Sequence, residues 1–209
     1  MLNKRVWLQK AIKSIAVLAS ITTVTAIFTA CTEQKMAFKS VDITGADYAK
    51  DFSADGTMVD HNGQARSIKD FAGKVVVLFF GFTQCPDVCP TSMAELAEAK
   101  KLLGKDGDKV QGLFITIDPE RDTLPVLKAY MGNFDPTFLA MRTTPDKLVD
   151  LAKNFKTYYK KMPGRTDTSY GMDHSVGSFV YDTKGNVRLY TRHGSGAEAL
   201  ASDLKLLLK

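Results

Sequence analysis

The chain predicts an α/β fold: a mixed central sheet flanked by helices, with a hairpin extension on its N-terminal side. Three observations carry this. Val75-Val76-Val77-Leu78-Phe79-Phe80 is an unbroken apolar run, β-branched at its start, the pattern of a central strand buried on both faces. Strand-like and helix-like stretches alternate after it. A hairpin pattern and one helix then close the chain, which makes the sheet mixed.

The elements follow in order. Asp55-Gly56 within Phe52–Thr57 is a turn signal for a first hairpin. Ser67 can cap a short helical turn from Ile68 to Ala72, before Gly73. After the Val75–Phe80 strand comes a loop with two cysteines. Pro90 suits a first helical turn, where its missing N–H is not needed. Thr91 to Leu103 has the composition of an amphipathic helix, with Gly104 as its C-cap. A strand from Gly112 to Ile117 leads through Asp118-Pro119-Glu120-Arg121-Asp122 to a helix, Thr123 to Met131. A short strand near Phe138–Met141 precedes a helix with Thr144 as N-cap and Pro145 at its first position. A second short strand is expected at Thr157-Tyr158-Tyr159. Gly177–Tyr181 and Val187–Thr191 form the closing hairpin around Thr183-Lys184-Gly185-Asn186, and Ala197 to Leu208 the terminal helix.

Residues 1–30 stand apart from this fold. Lys4, Arg5, Lys10 and Lys13 form a positive start without an acid, and an apolar run from Ser14 to Ala30 follows. It closes on Ile27-Phe28-Thr29-Ala30-Cys31, small residues before a cysteine. That resembles a bacterial lipoprotein signal, in which Cys31 is lipidated and becomes the mature N-terminus. The apolar run is also nearly long enough for an uncleaved signal anchor. Either reading exports the chain, tethers it to a membrane and removes this segment from the fold. The expected organisation is a signal over 1–30, a linker over 31–45 and one domain over 46–209.

Composition narrows the function. The whole chain has a net charge of +5 from 28 basic and 23 acidic residues. The four positive charges of residues 1–30 account for most of that excess, so the exported part is close to neutral. Nothing in this balance points to nucleic acid.

The chemistry centres on Cys85-Pro86-Asp87-Val88-Cys89-Pro90. Export places these thiols in an oxidising compartment. A disulfide closing so short a loop removes little chain entropy and stabilises little. The pair is therefore there for chemistry: to open and close a disulfide, or to hold a soft metal as two thiolates. Ligands of α/β sheets sit beyond the carboxyl ends of the strands. The cysteine loop and the Asp118–Asp122 loop both lie there.

A strand, two cysteines and a helix, then a βαβ unit, then a closing hairpin and helix is the order of a thioredoxin-like fold. In that fold the residues just before the closing hairpin pack against the cysteine pair. Here they are Asp173-His174-Ser175. Thioredoxin-type oxidoreductases carry a cis-proline at that place, but this chain has no proline from Gly164 to Lys209.

The three motifs together, Cys85–Pro90, Asp118–Thr123 and Asp173–Ser175, resemble the Sco/SenC family of copper proteins in order and spacing. The resemblance implies a thioredoxin-like fold, membrane tethering, and one copper held by Cys85, Cys89 and His174. It also implies a role in building the copper-A centre of cytochrome c oxidase. The partner is then the oxidase subunit bearing that centre, with a second periplasmic copper carrier or a thiol reductant as a further implied contact. Gln84 departs from the family, which often has His or an aromatic there.

The residues themselves agree with this reading and leave alternatives open. Two thiolates and an imidazole suit Cu(I) or Cu(II), although zinc takes the same donors. Three protein ligands leave a position open for a receiving protein. The rival function is a thiol–disulfide oxidoreductase, for which His174 has no evident use. A peroxiredoxin-like peroxidase fits two cysteines four apart less well. Asp118 and Asp173 are candidate supporting residues, and Asp118 alternatively caps the helix that follows or orients its loop. His61 and His193 lie in polar, turn-like contexts and are expected to be solvated. Met58, Met93, Met162 and Met172 show no clustered spacing and read as filler.

Overall fold

In a computed structural model of the chain, the structure describes residues 37–52, 57–164, 166 and 169–209. Cys31 and the whole 1–30 segment lie outside the described residues, as does the Asp55-Gly56 turn. One compact unit spans Ala37–Lys209.

Among the described residues the strands and helices are ordered β1 (Val41–Asp42), β2 (Val59–Asp60), β3 (Val75–Gly81), α1 (Val88–Leu102), β4 (Val110–Thr116), α2 (Leu124–Met131), β5 (Leu139–Arg142), α3 (Pro145–Asn154), β6 (Tyr159–Met162), β7 (Gly171–His174), β8 (Ser178–Tyr181), β9 (Val187–Thr191) and α4 (Ala197–Leu207). Short 3-10 turns occupy Ile68–Phe71 and Gly104–Lys109. Seven strands form one sheet in the order β1-β9-β8-β3-β4-β5-β2. The centre, β3-β4-β5, is parallel, while β8, β9, β1 and β2 join antiparallel, so the sheet is mixed as expected.

β3 and β4 are buried at every residue. That is why they read as continuous apolar runs, since helices cover both faces of a parallel centre. Phe80 packs edge-on against Phe155 at 5.1 Å and Phe179 at 6.4 Å, and Phe155 packs against Phe179 at 5.1 Å. These rings tie β3, β8 and the end of α3 into one core. Gly104 takes φ +57 directly after Leu103, the left-handed residue that ends α1. Thr144 and Pro145 stand where the sequence puts them, but the Thr144 side chain makes no capping hydrogen bond.

Three differences from the sequence reading are physical. Val41–Asp42, within the expected linker, pairs with Tyr190 and Leu189 as an edge strand. Its entry is held by Asp203 of α4, fully buried, whose carboxylate accepts from the backbone N–H groups of Lys39 at 2.7 Å and Ser40 at 2.8 Å. Two exposed residues carry no periodicity to read. On the opposite edge, Val59–Asp60 pairs with Arg142 and Met141 of β5. The fully buried Asp60 closes the tight turn beside it, accepting from the backbone of Asn62 and Gln64 and from Arg66 Nε at 2.9 Å. Finally, the short strand expected at 157–159 begins at Tyr159 and runs on to Met162. It pairs with β7 in a separate two-stranded sheet, with Tyr159 opposite His174.

Candidate metal centre

The loop leaving β3 reaches Cys85 just before α1, and Cys89 is the second residue of that helix. The first N–H groups of a helix have no partner within it. Here the Cys89 N–H points at Cys85 Sγ, 3.4 Å away. The Asp87 side chain at the N-cap position makes no cap bond, and the first turn holds no acid. Cys85 sulfur thus stands where a capping oxygen often stands, at the positive end of a 15-residue helix. Cys85 is half-buried and Cys89 fully buried.

Gly81, the last residue of β3, explains how Cys89 comes so close to the sheet. A Cβ there would lie 2.7 Å from the Phe114 ring, 2.8 Å from the Phe79 ring and 3.0 Å from Cys89 Sγ. The sulfur occupies space that any side chain would take.

His174 arrives from β7, half-buried. Its ring stands edge-on to Phe79 at 6.2 Å and Phe82 at 5.9 Å. Nδ1 lies 2.8 Å from the Ser175 carbonyl oxygen. A carbonyl only accepts, so Nδ1 carries a hydrogen, and in the neutral ring Nε2 then keeps the lone pair. Nε2 lies 3.7 Å from Cys89 Sγ. Burial is the largest influence on the imidazole and holds its pKa below the usual histidine value, against the opposing pull of the Ser175 carbonyl and the Asp173 charge. Burial likewise pushes the Cys89 thiol well up, reinforced by Cys85 and by the Asp122 charge. The ligand atoms of Cys85, Cys89 and His174 all lie within 4.8 Å of one another. A neutral imidazole and two sulfurs in a largely desolvated corner fit a soft metal, which would itself offset the cost of a buried thiolate.

The loop after β4 carries two buried acids with separate partners. Asp118 does not reach the three-residue cluster. Its Oδ1 accepts from the Tyr170 hydroxyl at 2.7 Å, and Oδ2 pairs with Arg121 Nε. The carboxylate next to the cysteine loop is Asp122, which bonds Thr83 and Thr116. Both acids sit in one motif, and only the fold shows which of them faces β3. Asp173 is exposed, in register with Lys160, and acts on His174 through charge alone. His61 is not simply solvated, because its Nδ1 accepts from the Ala140 N–H at 3.2 Å on the edge of β5. His193 is exposed, 2.9 Å from Ser92 Oγ. Met58 and Met93 are buried in the core, Met172 packs against it, and Met162 is exposed.

Comparison with known proteins agrees with this geometry. The family model described as SCO1/SenC matches residues 44–209. A mitochondrial SCO2 homologue from Bos taurus is 32% identical over 153 residues, 72% of this chain and 58% of the relative. The matched part therefore spans little more than half of that longer protein. An SCO2-like protein from Rickettsia felis is 34% identical over 140 residues, covering 66% of this chain and 67% of its own. Among solved structures, Bradyrhizobium japonicum ScoI with copper bound superposes with a TM-score of 0.66 at 38% identity, over 71% of this chain and 94% of that one. Apo Sco1 from Thermus thermophilus gives 0.71 at 30% identity, over 83% and 99%. By motif, fold and match over most of its length, the chain belongs to the SCO1/SenC family.

Proposed function

We propose that this chain is a membrane-anchored periplasmic copper-binding metallochaperone that assists assembly of the copper-A centre of cytochrome c oxidase. Copper is its cargo, held by Cys85, Cys89 and His174. The observation that carries the reading is the meeting of two sulfurs and an imidazole nitrogen within 4.8 Å. Family membership and a copper-bound relative at 38% identity support it. Three protein donors leave room for a ligand from a receiving protein, so transfer proceeds by ligand exchange. Thiol state gates the cargo: two thiolates bind copper, and the disulfide formed by their two-electron oxidation does not. Cys31 supplies the lipid anchor, and the client is the oxidase subunit that carries the copper-A centre.

A second reading has its own observation. Half-buried Cys85 receives a helix N–H, while Cys89 lies buried behind it. That is the asymmetry of an attacking and a resolving thiol. As an oxidoreductase, the pair would take up a client disulfide and release two client thiols, ending as Cys85–Cys89.

Copper stoichiometry of the reduced protein separates the two. A carrier takes up one copper, His174→Ala binds it far more weakly yet still forms the disulfide, and Cys85→Ser or Cys89→Ser loses both properties. A copper ratio near zero in the reduced wild type defeats the carrier and favours the oxidoreductase.

A further inference from the structure

The donors of the centre come from two separate sheets. Cys85 and Cys89 follow β3 of the main sheet, whereas His174 ends β7, which pairs with β6 in the separate two-stranded sheet. Among the described residues no ladder of backbone hydrogen bonds joins the two sheets. Ser175-Val176-Gly177 link His174 to β8, which pairs with β3, so that short link and side-chain contacts together set the distance between imidazole and sulfurs. The hairpin's ion pair to the β4–α2 loop, Lys161 to Glu120 at 2.9 Å, is between exposed groups and holds weakly.

We propose that Arg121 is the positioning residue of this centre, a brace that holds the His174 hairpin against the cysteine loop. Its Nη1 donates to Gln84 Oε1 at 2.9 Å, on the residue before Cys85. The same nitrogen donates to the Tyr170 carbonyl oxygen at 2.8 Å, on the residue before β7. Nε is paired with Asp118, and the guanidinium lies 3.6 Å from the centre of the Tyr170 ring. Tyr170 is held a second time, by its hydroxyl on Asp118. One planar cation thus bonds the cysteine loop, its own loop and the base of the histidine strand. The remaining nitrogen, Nη2, is buried without a hydrogen-bond partner. A buried orphan donor is costly.

The choice of arginine matters. A lysine keeps the charge but is a point donor on a flexible stem, without the fork or the stacking plane. With the brace gone, the hairpin samples arrangements in which His174 Nε2 leaves the sulfurs. Apparent affinity then falls by the fraction of the closed arrangement. Both thiols lie on their own turn and helix, so their pairing is not affected.

This inference rests on the copper-carrier reading, and its test separates the two. Arg121→Lys and Gln84→Ala would be compared with wild type as full chains in detergent. Three readouts are needed: Cu(I) affinity by chelator competition, nitrogen hyperfine coupling in the Cu(II) spectrum, and amide exchange across 170–174 in the metal-free protein. Arg121→Lys is expected to weaken copper roughly 10- to 100-fold, the usual range for residues that orient ligands. It should also reduce the nitrogen coupling and speed exchange in 170–174, while the dithiol–disulfide potential stays at the wild-type value. Gln84→Ala cuts one exposed arm, so it should show the same changes to a smaller degree even if Arg121→Lys fails to fold. Wild-type affinity, coupling and exchange in either folded variant overturn the brace. A wild type that takes up no copper defeats the carrier reading instead, and the exchange comparison still decides the brace.

Discussion

Asp122 bonds the hydroxyls of Thr83 and Thr116 at 2.5 Å each, so one buried carboxylate joins the cysteine loop to the end of β4. It accepts in addition from the Thr83 N–H at 3.1 Å. Asp122→Ala leaves three donors without an acceptor. The expected loss is about 3 kcal/mol in urea unfolding, since each stranded buried donor costs about 1–3 kcal/mol. Asp122→Asn keeps one acceptor oxygen and should lose less. Equal losses for the two would show that packing, not acceptance, is what Asp122 contributes.

Gly81→Ala tests the close approach of sheet and sulfur. The new methyl meets two rings and Cys89 Sγ at 3.0 Å or less. Overpacking of this kind costs about 1–3 kcal/mol. The specific expectation is larger than a stability loss: displaced Cys89 should slow formation of the Cys85–Cys89 disulfide in a timed oxidation. A variant that oxidises at the wild-type rate would show that the helix end moves freely.

Asp60 sets part of the acid limit of stability. Burial pushes its carboxyl up, but Arg66 and the backbone N–H groups of Gln64 and Asn62 together outweigh burial and hold it below the ordinary value. A depressed acid contributes stability that is present above its unfolded pKa, about 3.9, and is lost as pH falls through the folded value. Stability measured by denaturant should therefore decline as pH falls below about 4. Asp60→Asn should flatten that decline and lower stability at pH 7 by about 1.5–3 kcal/mol, the range for hydrogen bonds to a charged group. An unchanged acid slope in Asp60→Asn would assign the limit to other carboxylates.

Phe80→Ala removes the ring that meets both Phe155 and Phe179. Truncating a fully buried phenylalanine costs about 3–5 kcal/mol. Calorimetry should show a large fall in melting temperature. Phe80→Leu, which leaves a smaller void, should fall less.

What the sequence showed and hid follows from how each element is stabilised. β3 and the helices were legible because burial imposes a pattern on consecutive residues. The meeting of Cys85, Cys89 and His174 was legible through the resemblance of their motifs to the Sco/SenC family, in order and spacing. β7 was not, since its exposure alternates over only four residues, Gly171–His174, and it pairs with an exposed partner, β6. Its role became visible only through Tyr159 lying opposite His174. Asp118 and Asp122 are chemically identical and four residues apart, so the choice between them belonged to tertiary structure. Gln84 stood out in sequence only as a departure. Its acceptor oxygen acquires meaning from Arg121, 37 positions away.

The carboxylate of Asp203 receives the chain at Lys39 and Ser40 before β1 forms. A shortened protein beginning at residue 46 would strand that buried acid and strip β1 from β9. The freed edge of β9 would then offer unpaired N–H and C=O groups to any neighbouring strand, the usual start of sheet-to-sheet association. Solubility of the isolated domain is thus decided at its first few residues, across the molecule's last helix. A version starting at Ala37 should stay monodisperse in light scattering where one starting at residue 46 self-associates.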